Sequence, residues 1–451
     1  MNKLQQKISL YGLTMIVAGS CIGSGIFRSP SETAAYLPYN GWMLLAWIIG
    51  GLITLTGALS IAELGGMFPH AGGVYVYLRK VYGDAAAFLY GWISLTVIVS
   101  GALAAIALVF AGYVSSIFHL NENEKIILSI ITLILLSAIN ILGVKIGNLF
   151  ASVITTTKLL GIFAVIIIGI AFGSQPLNFH FNFSEFHNSL HPDLGFFSAF
   201  GLASIGVFFS YGGFHHASYL AGEVKNPQKT LPTAMILGTL IVMLVYVMSN
   251  VSYLKLLPIE TIAGSDKVAS TAVSQVFSFG SNFIAMLIIV STFGTISIYS
   301  MTAPRIYFAL ANDGLFFKRI ATIHPRFHTP ANAIMVQCAI ACIILVFWKT
   351  FEEVINYIVF VDYLFMAMAV FGVLILRKRL PNQSRPYRTL GYPIVPLIFV
   401  GFTIFMLGVN VVQKPEIAIS IFACLLIGYL LYKAFGFKGI KNKNPEELDN
   451  L

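Results

Sequence analysis

Charge is scarce in this chain. Only 10% of its 451 residues are Asp, Glu, Lys or Arg, and 57% are hydrophobic, with a mean hydropathy of +0.85. Soluble domains carry about a quarter charged residues, so a soluble enzyme or binding module is excluded and a polytopic membrane protein remains. Its net charge of +9 then belongs to loops and does not mark a nucleic-acid surface. Cysteine is scarce too. Cys21, Cys338, Cys342 and Cys424 all fall in apolar runs, which excludes a disulfide framework and offers no polar setting for a metal. No His/Glu metal spacing, nucleophile elbow or phosphate loop stands at membrane depth, so neither an enzyme nor a cofactor is expected. Lys3 and Lys7 precede the first apolar run, but no small-residue cleavage site follows, so that run is read as retained.

What is present is a series of apolar runs, each long enough for a bilayer crossing of about 20 residues. They lie near 9–37, 41–67, 86–115, 124–143, 148–172, 195–222, 230–256, 282–311, 328–349, 354–378, 391–413 and 415–436. About twelve spans put both termini on one side. Nineteen Lys and Arg fall at the N-terminus and in alternate loops, against five in the opposite loops, which places both ends in the cytoplasm. No loop is long enough to be a separate domain. The expectation is one all-α membrane domain over 1–436, with a polar cytoplasmic tail at 437–451 read as disordered.

The first run is interrupted at its middle by the stretch Gly19-Ser20-Cys21-Ile22-Gly23-Ser24-Gly25-Ile26-Phe27-Arg28-Ser29-Pro30. Each Gly costs a helix on the order of 1 kcal/mol relative to Ala, so the helix breaks here. An unwound backbone at membrane depth survives only in a protein cavity or against something polar. A half-helix starting near Gly25 aims its amides at an anion, while carbonyls near Cys21 attract a cation, and an amino acid carries both charges. Close helix packing is the other reading of such glycines. A second interruption, Phe208-Phe209-Ser210-Tyr211-Gly212-Gly213-Phe214-His215-His216, falls five spans later. Paired interruptions in two halves point to an inverted-repeat transporter with its site between them. The halves would be about 9–172 and 195–378, with the segment 391–436 outside the repeat.

Several ionisable residues stand within spans. Lys158 lies roughly 15 Å from the nearer end of its span at 1.5 Å per residue, too far for its stem to reach water, so it is functional or paired. Arg28 has Glu32 at i+4, which suggests a local ion pair, with substrate gating as the alternative. Asp362 and Glu63 are read as structural partners or proton carriers. His215 and His216 follow the second break, where one faces the pocket and the other packs.

The chain resembles the amino acid-polyamine-organocation (APC) superfamily, and within it the L-type amino acid transporters and their bacterial relatives. The likeness rests on Gly23-Ser24-Gly25-Ile26-Phe27, Phe68-Pro69-His70-Ala71-Gly72-Gly73-Val74-Tyr75, Tyr211-Gly212-Gly213-Phe214 with Glu223-Val224-Lys225-Asn226-Pro227, Pro304-Arg305-Ile306-Tyr307 before Asn312-Asp313-Gly314, and Arg385-Pro386-Tyr387-Arg388 with Gly391-Tyr392-Pro393. It implies a LeuT-type five-plus-five inverted repeat with broken helices 1 and 6, rocking spans 1, 2, 6 and 7 against the rest. It further implies a substrate carboxylate at the amides of Gly23, Ser24 and Gly25 and an ammonium at the carbonyls of Cys21, Phe209 and Gly212. Phe209 would cover the site, and Phe214, His215 and Arg28 are candidates for specificity. Lys158 would stand where sodium-coupled relatives hold sodium, near the hydroxyls of Ser291, Thr292, Thr295 and Ser297, which argues against sodium coupling.

The functional expectation is a secondary transporter of neutral L-amino acids, as exchanger or proton-coupled permease. A cationic amino acid or polyamine transporter is the alternative, and a channel or receptor a distant one. Animal L-type members join a single-span glycoprotein through a cysteine between spans 3 and 4; residues 116–124 contain none. A chain working alone, as monomer or non-covalent homodimer in a plasma or bacterial inner membrane, is therefore expected.

Overall fold

In a bilayer each backbone N–H and C=O must be bonded within the protein, and a helix does this within one segment. The computed structural model of the chain describes residues 4–179, 181, 186–347, 351–437 and 439, with backbone alone at 351–354. Among these the regular structure is helical, with one isolated parallel bridge between Ile8 and Val224. Of the polar tail only Phe437 and Gly439 are described, so the expectation for the rest of it lies outside the described residues.

In chain order the apolar helices are α1a (Leu10–Cys21), α1b (Gly25–Tyr36), α2 (Asn40–Met67), α3 (Asp84–Phe118), α4 (Glu122–Ile141), α5 (Val144–Phe172), α6a (Phe196–Tyr211), α7 (Pro227–Leu256), α8 (Gly280–Asn312), α9 (Ala331–Phe347), α10 (Phe351–Arg379), α11 (Ile394–Gln413) and α12 (Pro415–Ala434). A single turn, α6b (His216–Tyr219), follows α6a. Among the described residues nine helices are long and apolar enough to cross a membrane, and the α1a–α1b pair, bent by 40°, makes a tenth if counted as one span. Helices α6a and α9 are apolar but shorter. The protein is a multi-pass membrane protein.

Local chemistry sets the ends. The Ser9 hydroxyl accepts from the Gly12 amide at 3.3 Å and starts α1a. Asn121 and Glu124 form a reciprocal capping box at the start of α4, and Pro227 and Pro415 occupy first-turn positions of α7 and α12. Several buried hydroxyls are satisfied within their own helix: Ser20 donates to Ile16 O at 2.7 Å, Ser210 to Gly206 O at 2.9 Å and Thr54 to Gly50 O at 2.7 Å.

The interrupted helices occupy the centre. α1a packs against α7, α5 and α8, and α1b against α6a. Each of the first four spans touches the one five places on: α1b lies on α6a, α2 on α7, α3 on α8 and α4 on α9. Two ion pairs fasten the end of the bundle that carries the N-terminus. Glu63, fully buried, takes Arg377 at 2.9 and 2.6 Å and the Thr389 amide at 2.7 Å, so it is a structural partner tying α2 to α10 and the following loop. Arg305 and Glu223, both buried, meet at 2.9 and 3.1 Å, while the Glu223 carbonyl accepts the Lys7 and Ile8 amides at 2.9 and 3.0 Å.

Candidate functional site

At the first break α1a ends at Cys21. The Ile22 amide bonds back to Ala18 O and the Gly23 amide to Cys21 O, each at 2.9 Å. Where α1b starts, the Phe27 amide reaches Ser24 O at 3.2 Å, and the amides of Gly25 and Ile26 are first-turn donors with no intrahelical acceptor. The Ser24 hydroxyl is buried and has no partner. At the second break the chain leaves α6a through Gly212 and through Gly213 at φ +101°, a left-handed value that glycine adopts without strain.

The two breaks press on one another. A Cβ on Gly213 would stand 2.9 Å from Ser20 Cβ and 3.0 Å from the Ser20 carbonyl carbon; a Cβ on Gly25 would stand 2.5 Å from Ser210 Oγ and 2.8 Å from Ser210 Cα. The glycines therefore serve close packing as well as unwinding. Tyr246 of α7 joins both helix ends. Its hydroxyl lies 2.7 Å from Cys21 O and 3.0 Å from Ser210 O, and its ring meets Trp47 edge-on.

Lys158, fully buried on α5, fills the other side of the first break. Its ammonium donates to Gly19 O at 2.8 Å, Ile22 O at 2.5 Å and Thr295 Oγ1 at 3.1 Å. These three acceptors match the three donors of a protonated lysine amine. Ser291 Oγ lies 3.2 Å from both Ile22 O and Gly23 O, and Thr295 Oγ1 3.1 Å from Gly19 O and Ile22 O. Of the α8 hydroxyls, Ser291 and Thr295 thus join the break. Thr292 bonds Ile288 O at 2.7 Å on its own helix, and Ser297 faces Asn140 of α4, whose amide donates to Ser297 O at 2.9 Å.

Beside the second break lies a small cavity of about 30 Å³, lined among others by Phe209, Gly212, Gly213, His216, Tyr299 and Asp362. Phe209 is half-buried at its edge; Phe214 and His215 are buried and meet edge to face. His216 Nδ1 pairs with Thr302 Oγ1 at 2.9 Å, and its ring lies 4.2 Å from that of Tyr299. His215 Nε2 is 3.8 Å from Asp362 Oδ1. Arg28 is half-buried one turn into α1b, with Glu32 a turn further on. Sequence reasoning missed Tyr246, one of 20 tyrosines in an unbroken apolar run, and no pattern around it marks it out.

Fold and site together define a membrane protein built around two interrupted helices that face each other at its centre. The chain belongs to the amino acid permease family, whose model matches residues 8–431. These are transporters, not enzymes. Over 90% of its length the chain is 34% identical to 91% of the serine/threonine exchanger SteT of Bacillus subtilis (strain 168). Over 95% it is 32% identical to 80% of the large neutral amino acids transporter small subunit 2 of Homo sapiens. Over 92% it is 30% identical to 78% of the Asc-type amino acid transporter 1 of Mus musculus.

Proposed function

We propose that the protein is a secondary transporter of neutral L-amino acids that works by alternating access, with exchange as its basic cycle. The observation that carries this is the pair of unwound segments pressed together at the buried centre, one offering first-turn amides and the other carbonyl ends. The printed names of the three relatives, two exchangers or transporters of small or neutral amino acids among them, agree with it. The substrate carboxylate would take the amides of Gly23, Ser24 and Gly25, and the ammonium the carbonyls of Cys21, Phe209 and Gly212. Cys21 O already accepts from Tyr246 and from the Gly23 amide, so an ammonium there displaces the tyrosine hydroxyl. Lys158 holds the unwound backbone from behind as a fixed cation, which makes sodium unnecessary.

The remaining features of the reading are these. Twelve spans result if α6a with α6b and α9 also cross, and helices i and i+5 in mutual contact support halves at about 9–172 and 195–378. Both termini face the cytoplasm by loop charge, the membrane is the cell membrane, and the chain acts without a disulfide-linked heavy subunit, as monomer or non-covalent homodimer. The test is a panel of the twenty amino acids, with putrescine, competing for binding to the purified protein. Displacement by neutral L-amino acids is the expected result; displacement by lysine, arginine or putrescine alone would overturn it.

A further inference from the structure

Asp362 is the only acidic side chain among those lining the cavity beside the second break. It is buried, and its Oδ1 has no hydrogen-bond partner; 3.8 Å away, the buried His215 has an Nδ1 that is likewise without one. Buried acceptors are almost always satisfied, and a buried carboxylate oxygen without a donor is a group awaiting one. The cavity at about 30 Å³ has room for a group the size of a water molecule and little more. Its lining also includes Gly212 and Gly213 of the break and Ile98 and Ala102 of α3, where α3 carries a π-helical segment at Ser94–Ile98, a distortion frequent at functional sites.

Taken with the reading of the breaks as the amino acid site, on which this rests, the geometry points to Asp362 as a specificity-determining residue that accepts a hydrogen bond from the substrate's side chain. The ligand class is an L-amino acid with a hydroxyl on its first side-chain carbon. A hydroxyl matches both the donor that Oδ1 lacks and the space beside it. A lysine or arginine side chain brings a donor too, and the competition below separates the two. His215 Nε2, 3.8 Å from this same Oδ1, is beyond hydrogen-bond distance and leaves it open to a donor, while His216 is held by Thr302.

Isosteric pairs provide the test. On the unaltered protein, serine is expected to displace bound substrate at roughly three- to tenfold lower concentration than alanine, and threonine likewise against valine, the span for one hydrogen bond. In Asp362→Ala the two members of each pair should compete equally, whatever their absolute affinity. Asp362→Asn, which keeps an acceptor, should preserve part of the preference. Equal competition on the unaltered protein overturns the inference without any variant, and so does a hydroxyl preference that survives in Asp362→Ala. If lysine or putrescine outcompetes serine and loses that advantage in Asp362→Asn, the carboxylate reads a cation and the inference is wrong. If no amino acid binds at all, the reading of the breaks fails as well, which separates the two failures.

Discussion

Gly25 is held by two separate demands. Its amide opens α1b, and its missing side chain lets α1b lie on Ser210, where a Cβ would come within 2.8 Å of backbone. Gly25→Val should insert into the membrane and lose amino acid affinity at least tenfold, since overpacking costs about 1–3 kcal/mol. Adding Ser210→Gly separates the demands: partial recovery in the double variant is expected from the packing, and none would mean that the ligand alone forbids the side chain. Lys158 is the second residue with a sharp expectation. Lys158→Ala takes from the carbonyls of Gly19 and Ile22 their shortest donor, leaving them the longer contacts of the Thr295 and Ser291 hydroxyls, and should lose most transport and lower the melting temperature. Replacing sodium by choline should change uptake little; a strong sodium requirement would contradict the role given to the lysine.

At the scale of elements, the buried Arg305–Glu223 pair joins α8 to the linker that follows α6b, and the Glu223 carbonyl carries the N-terminal segment at Lys7 and Ile8. Removing one member of such a pair strands a buried charge at a cost of about 3–5 kcal/mol, whereas replacing both by apolar groups can be nearly neutral. Glu223→Ala should therefore lower the melting temperature by several degrees, and Glu223→Ala with Arg305→Met should recover most of it; equal losses in both would show that the pair contributes little. This pairing was not readable from the chain, because Glu223 and Arg305 lie 82 residues apart and belong to different motifs. The breaks were readable. Glycine and serine at mid-span act on the local helix, and local effects are what a sequence displays. Lys158 was readable as buried and paired for the same reason, since depth along a span follows from counting residues. Its partners were only partly so. Thr295 and Ser291 reach the break while Thr292 turns to its own helix, and that depends on the rotation of α8, which packing sets. Tyr246 is the extreme case, a contact between three helices with no signature in any one of them.

For the whole molecule the open matter is whether one chain suffices. One relative is named as a small subunit, so a partner has to be considered. Between α3 and α4 the chain turns in three residues: His119 takes a left-handed φ of 54°, Leu120 follows, and Asn121 caps the next helix, with its side chain accepting from the Glu124 amide at 3.0 Å. No cysteine stands there. All four cysteines are free; Cys21 is buried at the first break, while Cys338, Cys342 and Cys424 lie within α9 and α12, apolar helices with no loop position to offer a thiol to an outside partner. A disulfide needs Cα atoms within about 7 Å, which these positions deny to a partner domain docked on a loop. That the four cysteines all lie within helices supports the proposal that the chain works without a disulfide-linked heavy subunit. The single purified chain, reconstituted into liposomes preloaded with a neutral amino acid, should therefore take up labelled amino acid by exchange, and uptake should vanish when the liposomes are empty. If exchange appears only after a second protein is added, the solitary transporter is wrong, whereas equal uptake into empty liposomes would leave the chain solitary and make it a net permease.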